Sequence, residues 1–304
     1  MSRPPVENPV PAAAILQLLR PRQWYKNLVV LVPLLFSGNV GNPQLWPPAL
    51  LAFAAFCLLS SAAYAANDAV DAPRDRLHAR KRERPVASGR IPAPLAWAIA
   101  ASGAAAGLAV LALMDFVALA LGAAFLALQG AYNLALKHVL IWDALTLAAG
   151  FVLRALAGTA ALAIGDPTAW LILCTFLFAL YLALAKRRHE LLLPDAGAHR
   201  PVLQSYTRAF LEQTMQVATT LLLASYALYT FFGTTRWMMF TLPFAFYGIL
   251  RHNWLVHTSQ EPDEASLLLR DRPTIANVLA WAAVVALVLA GYPQRLHGWL
   301  GGLA

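Results

Sequence analysis

The feature that most constrains this chain is a series of long apolar runs separated by short polar breaks. Each run is about 20 residues long, the length that an α-helix needs to cross the hydrocarbon core of a bilayer. The composition agrees, because 60% of the 304 residues are hydrophobic and only 12% are charged. A water-soluble domain of this length does not need so many apolar residues for its core. The sequence therefore predicts an all-α integral membrane protein whose excess apolar side chains face lipid.

The predicted spans are placed where charge, Pro or Gly bounds an apolar run. Pro33 interrupts the first of them, which is also short. We expect residues 1–26 to form a cytoplasmic N-terminal segment and residues 27–304 to form one transmembrane domain of about nine helices. The nine predicted spans are residues 27–41, 48–66, 92–113, 116–136, 141–163, 168–188, 210–233, 236–256 and 274–292.

The positive charges are distributed unevenly along the chain. Nearly all of the 23 Lys and Arg residues precede the first span or lie in alternate connections, such as residues 74–90. Arg236 and Arg295 fall on the other side, and Arg154 falls within a span. By the positive-inside rule, the N-terminus and the long polar loops face the cytoplasm of a multi-pass protein in the cell (inner) membrane. Topology thus accounts for the net charge of +8, and we expect no nucleic-acid partner.

The strongest chemical signal is the sequence Asn-Asp-Ala-Val-Asp-Ala-Pro-Arg-Asp at residues 67–75, directly after the second apolar run. If the helix continues at about 100° per residue, Asn67 and the three aspartates share one face. Magnesium takes oxygen ligands, usually one or two from the protein, and adds water and substrate phosphates. The pattern predicts a magnesium-bound diphosphate at the cytoplasmic membrane surface. The alternative is a solvated helix end whose acids pair with Arg74 and Arg76.

Two further cations lie outside the long polar loops. Lys137 lies at the end of a predicted span, and Arg154 lies about 16 Å along the fifth span from Asp143. A guanidinium at that depth is costly unless it faces the bundle interior and meets an anion or a polar cavity. We expect Arg154 to meet an anion or a polar cavity there. For Arg154 a purely structural ion pair is the alternative.

Residues 67–75, after the second of nine spans, resemble the first aspartate motif of the UbiA superfamily of intramembrane prenyltransferases. Members that attach prenyl chains to aromatic rings carry a second Asp-rich motif after the sixth span. This chain has Lys-Arg-Arg-His-Glu there, at residues 186–190. That departure looks like the decaprenyl-phosphate phosphoribosyltransferase branch of the superfamily. Further matches to that branch lie at residues 20–27, 81–85, 136–138, 153–155 and 269–272.

The resemblance implies transfer of 5-phosphoribose from phosphoribosyl pyrophosphate to a polyprenyl (decaprenyl) phosphate, with release of pyrophosphate, toward arabinose-containing cell-wall polymers. We assign no catalytic base, because the acceptor phosphate is already anionic. The expected roles are Asn67 and Asp71 as Mg²⁺ ligands, Asp68 and Asp75 in support, Lys26, Tyr64 and Lys81 on the sugar donor, and Lys137 and Arg154 on phosphate near the lipid entrance.

Two other functions stay open at this point. A UbiA-type prenyltransferase, which moves a polyprenyl chain from its diphosphate to an aromatic acceptor, would use the same fold and the same first motif. A transporter or lipid-binding scaffold would also carry intramembrane charge, although no half-helix repeat is evident. A homo-oligomer, the length of the prenyl chain and the helices that frame its groove are left open.

Overall fold

The computed structural model describes residues 11–77, 81–165, 167–192, 201–233, 235–258 and 270–292, and its regular structure there is entirely helical. The all-α prediction is confirmed. Short 3-10 helices lie at Pro21–Leu31, Pro43–Leu45, Lys81–Glu83, Leu136–His138, Pro201–Ser205 and Arg236–Thr241. The α-helices are α1 (Ala12–Leu19), α2 (Val32–Phe36), α3 (Trp46–Asp75), α4 (Ala93–Met114), α5 (Phe116–Leu134), α6 (Trp142–Leu162), α7 (Ala169–Leu191), α8 (Arg208–Phe232), α9 (Leu242–Thr258) and α10 (Arg272–Leu289).

Within the described ranges, seven helices are long and apolar enough to cross a membrane, namely α3 to α8 and α10. The chain is therefore a multi-pass membrane protein, and these seven helices match predicted spans. The remaining two predicted spans are not single long helices. Residues 27–41 contain the end of a 3-10 helix and the short α2, and residues 236–256 contain a 3-10 helix followed by α9. The count of nine is not confirmed.

Proline explains the irregular start of the bundle. Pro21 opens the 3-10 helix and Pro33 lies in the first turn of α2. Proline has no N–H group to donate, so an α-helix that ran through Pro33 would lose a backbone hydrogen bond. The 3-10 helix instead ends at Leu31, and α2 begins at Val32.

α3 is the central helix of the bundle. About 61% of the most apolar 18-residue stretch of this helix is buried inside the protein, against 17% of the corresponding stretch in α4 and in α5. Phe56 and Leu59 of α3 are fully buried and belong to one core cluster with Phe125 of α5 and Ala157 of α6. A residue of α3 can therefore contact several other helices, which makes the end of α3 a suitable place for a shared site.

The N-terminal part of the chain lies along α3. Ala14 and Leu18 of α1 are buried in one cluster with Ala65 and Ala72 of α3. The 3-10 helix that follows approaches α6 closely, and a side chain at Gly158 would collide with the backbone carbonyl of Val30. These contacts bring residues 20–27 against both α3 and α6.

Candidate functional site

The polar end of α3 forms the centre of the site. α3 continues without a break to Asp75, which meets the condition under which Asn67 and the three aspartates share one face. Asn67 and Asp71 are half-buried, whereas Asp68 and Asp75 are buried. The two predicted metal ligands are thus partly accessible to solvent, whereas the two supporting acids are surrounded by protein.

Two arginines hold the buried acids. Arg20 Nη2 donates to Asp68 Oδ1 at 2.5 Å, and Arg84 Nη1 donates to the same oxygen at 3.4 Å. Arg84 Nη1 also donates to Asp75 Oδ2 at 2.7 Å. The acids therefore pair with distant arginines, whereas the guanidinium of Arg76 donates to the carbonyl of Ala87.

Arg20 joins the N-terminal segment to the site. Its backbone φ of +51° lies in the left-handed region, which L-residues other than Gly, Asn and Asp seldom adopt. Its guanidinium carbon lies 5.0 Å from the centre of the Tyr64 ring, on the same side of α3 as Asp68. Tyr64, one of the predicted donor ligands, is thus held beside the acidic motif.

Lys137 brings the end of α5 to the same place. It lies in the 3-10 helix Leu136–His138, and its Nζ donates to Asp71 Oδ1 at 2.9 Å. The residue is only 9% exposed, so the pair is largely shielded from solvent. The structure thereby places a predicted phosphate ligand in contact with a predicted metal ligand.

Lys26 and Lys81, the other predicted donor ligands, are both half-buried. Lys26 lies in the 3-10 helix Pro21–Leu31, with its Nζ 5.9 Å from the centre of the Tyr25 ring. Lys81 opens the short 3-10 helix before Arg84, and its carbonyl accepts the Arg84 backbone N–H at 2.9 Å. Both lysines thus belong to segments that also supply partners of the acidic motif.

Arg154 is buried in the bundle, with only 6% of the residue exposed. Its Nε donates to Asn27 Oδ1 at 2.8 Å, its Nη1 to the carbonyl of Gly150 at 3.1 Å and its Nη2 to Ser60 Oγ at 3.4 Å. The guanidinium lies over the Phe125 ring at 4.3 Å. Within the described part of the chain it forms no salt bridge, so the structural ion pair considered as an alternative is not found there.

Arg154 and Lys137 do not contact the same part of α3. Arg154 meets Ser60 and Lys137 meets Asp71. These positions are eleven residues apart on a continuous helix, which is about 16 Å along its axis. A single phosphate group does not reach both cations in this conformation, so they serve two different anionic groups if both bind substrate.

The basic run at residues 186–190, which stands where other superfamily members carry a second Asp-rich motif, forms ion pairs inside the protein. Arg187 is 1% exposed and donates to Asp143 Oδ2 at 2.6 Å and to Glu190 Oε2 at 2.7 Å. Arg188 is 3% exposed and pairs with Glu212 at 3.0 Å. Arg187 therefore joins α7 to α6, and Arg188 joins α7 to α8.

Tyr206 completes the network around Asp143. Its hydroxyl donates to Asp143 Oδ1 at 2.6 Å and accepts the backbone N–H of Ile141 at 3.0 Å. Ile141 has a φ of +70°, which is strained for a β-branched residue. Burial and the neighbouring carboxylate raise the pKa of Tyr206, so its hydroxyl stays protonated and available as a donor. The network fixes the start of α6 beside the end of α7.

The described residues supply few oxygen ligands for a magnesium ion. They contain no group of three or more His, Cys, Asp and Glu side chains that could hold a metal without help. Asn67 and Asp71 offer half-buried oxygens, and Asp68 Oδ2 is buried with no hydrogen-bond partner among the residues that the structure describes. Magnesium commonly takes only one or two protein carboxylates and completes its shell with phosphate and water. The residues fit an ion held largely through substrate phosphates.

An apolar groove of about 890 Å³ lies among α5, α6 and α7. Leu128, Leu153 and Phe176 are among its lining residues. On α6, Leu153 faces this groove, whereas Arg154, about 100° further around the helix, contacts Asn27 instead. The groove and the buried guanidinium therefore lie on different faces of α6.

Comparison with known proteins identifies the family of this chain. The sequence profile described as the UbiA prenyltransferase family matches residues 28–278. The chain belongs to the UbiA prenyltransferase family. This UbiA-family protein is similar to the decaprenyl-phosphate phosphoribosyltransferase of Corynebacterium glutamicum, with 36% identity over 92% of this chain and 87% of that protein. It is 30% identical to the Mycolicibacterium smegmatis protein of the same name, over 90% of this chain and 91% of that protein.

Solved structures show the same fold for this UbiA-family chain. A UbiA homolog from Archaeoglobus fulgidus bound to DMAPP and Mg²⁺ superposes with a TM-score of 0.71 and 16% identity, covering 91% of this chain and 99% of that chain. The same homolog bound to GPP and Mg²⁺ gives a TM-score of 0.69 at 17% identity and the same coverage. The predicted UbiA-like helical bundle is confirmed.

Sequence reasoning did not assign three of the residues that contact the predicted site. Arg20, Arg84 and Asn27 each lie in a run that the resemblance singled out, at residues 20–27 or 81–85. The composition of these runs marks them as cationic or polar, but only the packing of the N-terminal segment on α3 shows which members reach the acids and Arg154.

Proposed function

We propose that this protein transfers the 5-phosphoribosyl group of phosphoribosyl pyrophosphate to a polyprenyl phosphate and releases pyrophosphate. The observation that carries the proposal is the identity of 36% with the C. glutamicum decaprenyl-phosphate phosphoribosyltransferase over 92% of this chain. The charges support it, because one acidic motif is surrounded by Arg20, Arg84 and Lys137. One metal-binding motif together with several cations suits a pair of phosphate-rich substrates, because only one of the two has a diphosphate leaving group.

On the donor side, Asn67 and Asp71 would hold Mg²⁺. When bound, the ion neutralises negative charge that develops on the departing pyrophosphate. Asp68 and Asp75 keep the end of α3 in place through Arg20 and Arg84. The set of Lys26, Tyr64 and Lys81 is proposed to bind the sugar donor.

On the acceptor side, Lys137 is the proposed phosphate ligand nearest to the donor, because it contacts Asp71. The acceptor phosphate is anionic at neutral pH, so its attack on C1 of the ribose depends on alignment more than on a general base. Arg154 is the second proposed phosphate ligand, and it contacts Ser60, about 16 Å along α3 from Asp71. The reaction is proposed to take place at the cytoplasmic face of the cell (inner) membrane.

The decisive experiment uses the purified full chain in lipid nanodiscs. Radiolabelled phosphoribosyl pyrophosphate and decaprenyl phosphate should give a labelled lipid and free pyrophosphate only when both substrates and Mg²⁺ are present. Formation of product from a polyprenyl diphosphate and an aromatic acceptor, with none from phosphoribosyl pyrophosphate, would show a prenyltransferase instead. Substrate movement across the membrane without pyrophosphate release would show a transporter.

A further inference from the structure

The protein has three arginines that are buried among the described residues, and one of them differs from the other two. Arg187 pairs with Asp143 at 2.6 Å and Arg188 pairs with Glu212 at 3.0 Å. Among the described residues, Arg154 donates hydrogen bonds only to the neutral oxygens of Asn27, Gly150 and Ser60, and its guanidinium lies over the Phe125 ring. The chain thus neutralises two buried guanidinium groups with carboxylates and leaves the third without a counter-charge in the described part of the structure.

Asn27 is the residue that makes this arrangement possible. It is fully buried, and its Oδ1 accepts from Arg154 Nε at 2.8 Å and from Ser60 Oγ at 3.1 Å. Its Nδ2 contacts the sulfur of Cys57 at 3.4 Å. Every polar group of the side chain therefore has a partner, and these partners fix which way the amide points. An aspartate has almost the same shape and would give Arg154 the counter-ion that the other buried arginines have.

An uncompensated guanidinium at this depth is energetically costly, and the cost falls when an anion arrives. The contact of Nη2 with Ser60 Oγ, at 3.4 Å, is the longest of its three hydrogen bonds and the easiest to exchange. A phosphate oxygen can replace it while Asn27 and Gly150 still hold the other two N–H groups. Arginine favours such oxygens because charge-assisted hydrogen bonds are the stronger ones.

We propose that Asn27 is a positioning residue that holds Arg154 as an uncompensated cation, so that this cluster binds a phosphate monoester of one of the two substrates. The inference rests on the proposed function. The monoester is either the 5-phosphate of the sugar donor or the phosphate of the lipid acceptor, since the two share the same chemistry. Arg154 contacts Ser60, which lies about 16 Å along α3 from Asp71, so Arg154 binds a group other than the diphosphate.

Asn27→Asp tests the proposal, since it keeps the shape and adds the missing counter-charge. The KM for one substrate should rise about tenfold or more, and the KM for the other should stay within about twofold of the wild-type value. A rise for phosphoribosyl pyrophosphate identifies the 5-phosphate, and a rise for decaprenyl phosphate identifies the acceptor phosphate. Unchanged KM values for both substrates would overturn the proposal.

Binding measurements separate this inference from the proposed reaction. Wild-type protein should be protected from thermal unfolding by the substrate concerned, and Asn27→Asp should lose that protection while its own Tm stays equal or rises. Asn27→Ala should instead lower the Tm, because it leaves Arg154 Nε unsatisfied. If wild type is protected but forms no product, the proposed reaction fails while the anion site stands. If Asn27→Asp is protected as well as wild type by both substrates, the anion site fails.

A matched control is Asn277→Asp. Asn277 lies on α10, where its Nδ2 donates to the carbonyl of Phe244 at 2.9 Å, away from Arg154. The change introduces the same charge in another part of the bundle, so it should lower the Tm without altering either KM. A general effect of placing a carboxylate in the membrane would change both variants alike and would count against the proposal.

Discussion

Lys137 Nζ lies 2.9 Å from Asp71 Oδ1, which joins the segment after α5 to the polar end of α3. The two residues are separated by 66 positions in the sequence, and Lys137 is largely shielded from solvent. Substrate phosphate that reaches this point competes with Asp71 for the ammonium group. In the proposed reaction the same pair therefore connects the donor side of the site with the acceptor side.

Asp71→Ala should lower the rate of phosphoribosyl transfer by at least about 100-fold, because a lost metal ligand removes stabilisation of the developing charge. The protein should remain folded and membrane-inserted, since Asp71 is half-buried and lies at a helix end. Production of labelled lipid and the Tm in detergent are the measurements. Near-normal turnover would remove Asp71 from the metal site.

The matched control for this variant is Asp115→Ala. Asp115 caps α5 at the end away from the site, where its Oδ1 accepts the N–H of Ala118 at 2.8 Å. Loss of an N-cap costs about 0.5–2 kcal/mol of stability. The control should therefore lower the Tm and keep the wild-type turnover.

Arg84→Gln should reduce both stability and turnover, because Arg84 bridges Asp68 and Asp75. With the bridge removed, the buried Asp75 loses its 2.7 Å partner, and about 1–3 kcal/mol of stability should be lost. This value is lower than for a fully buried pair, since the Arg84 side chain is 26% exposed. Arg82→Gln changes an exposed neighbour in the same basic run and should behave as wild type. Equal effects of the two changes would show that only the net charge of the run matters.

The sequence predicts those parts of the structure that depend on local pattern. Span length and the alternation of charge locate seven helices within a few residues, and helical periodicity predicts that α3 carries Asn67 through Asp75 on one continuous helix. Pro33 lies in the first predicted span, where a 3-10 helix and the short α2 take the place of one long helix. In each case, the deciding interaction lies within a few residues along the chain.

The partners of the charged residues could not be predicted in the same way. Arg20 is 48 positions from Asp68, and Arg154 is 127 positions from Asn27, so these contacts depend on how the helices pack. The run at residues 186–190 has the composition of a cytoplasmic basic loop, yet Arg187 is buried against Asp143. A hydrophobic pattern shows which residues enter the membrane but not which polar groups meet there.

Arg187→Gln should be strongly destabilising, because it leaves the fully buried Asp143 without its cation. Breaking a buried pair on one side typically costs about 3–5 kcal/mol. Asp143→Asn added to Arg187→Gln should recover part of this loss, since the double variant buries no unpaired charge. Thermal unfolding of the three variants in detergent measures the coupling. Additive losses would show that the two side chains do not stabilise each other.

The link between α9 and α10 should weaken as the pH falls. Arg251 donates to both oxygens of Asp271, at 2.6 and 2.7 Å, and Asp271 also caps α10 by accepting the N–H of Thr274 at 2.9 Å. The hydrogen bonds from Arg251, followed by those from Thr274, lower the pKa of Asp271 below its ordinary value of 3.8. Since the folded-state pKa is depressed, the stabilisation is complete above the unfolded pKa and is lost as the pH falls through the folded value. Asp271→Asn keeps the cap but removes the charge, so its Tm should lie below wild type at pH 7, and the difference should shrink as the pH falls below 3.8 toward the depressed folded-state pKa. A Tm difference that does not change over this range would show that the ionised carboxylate does not stabilise the pair.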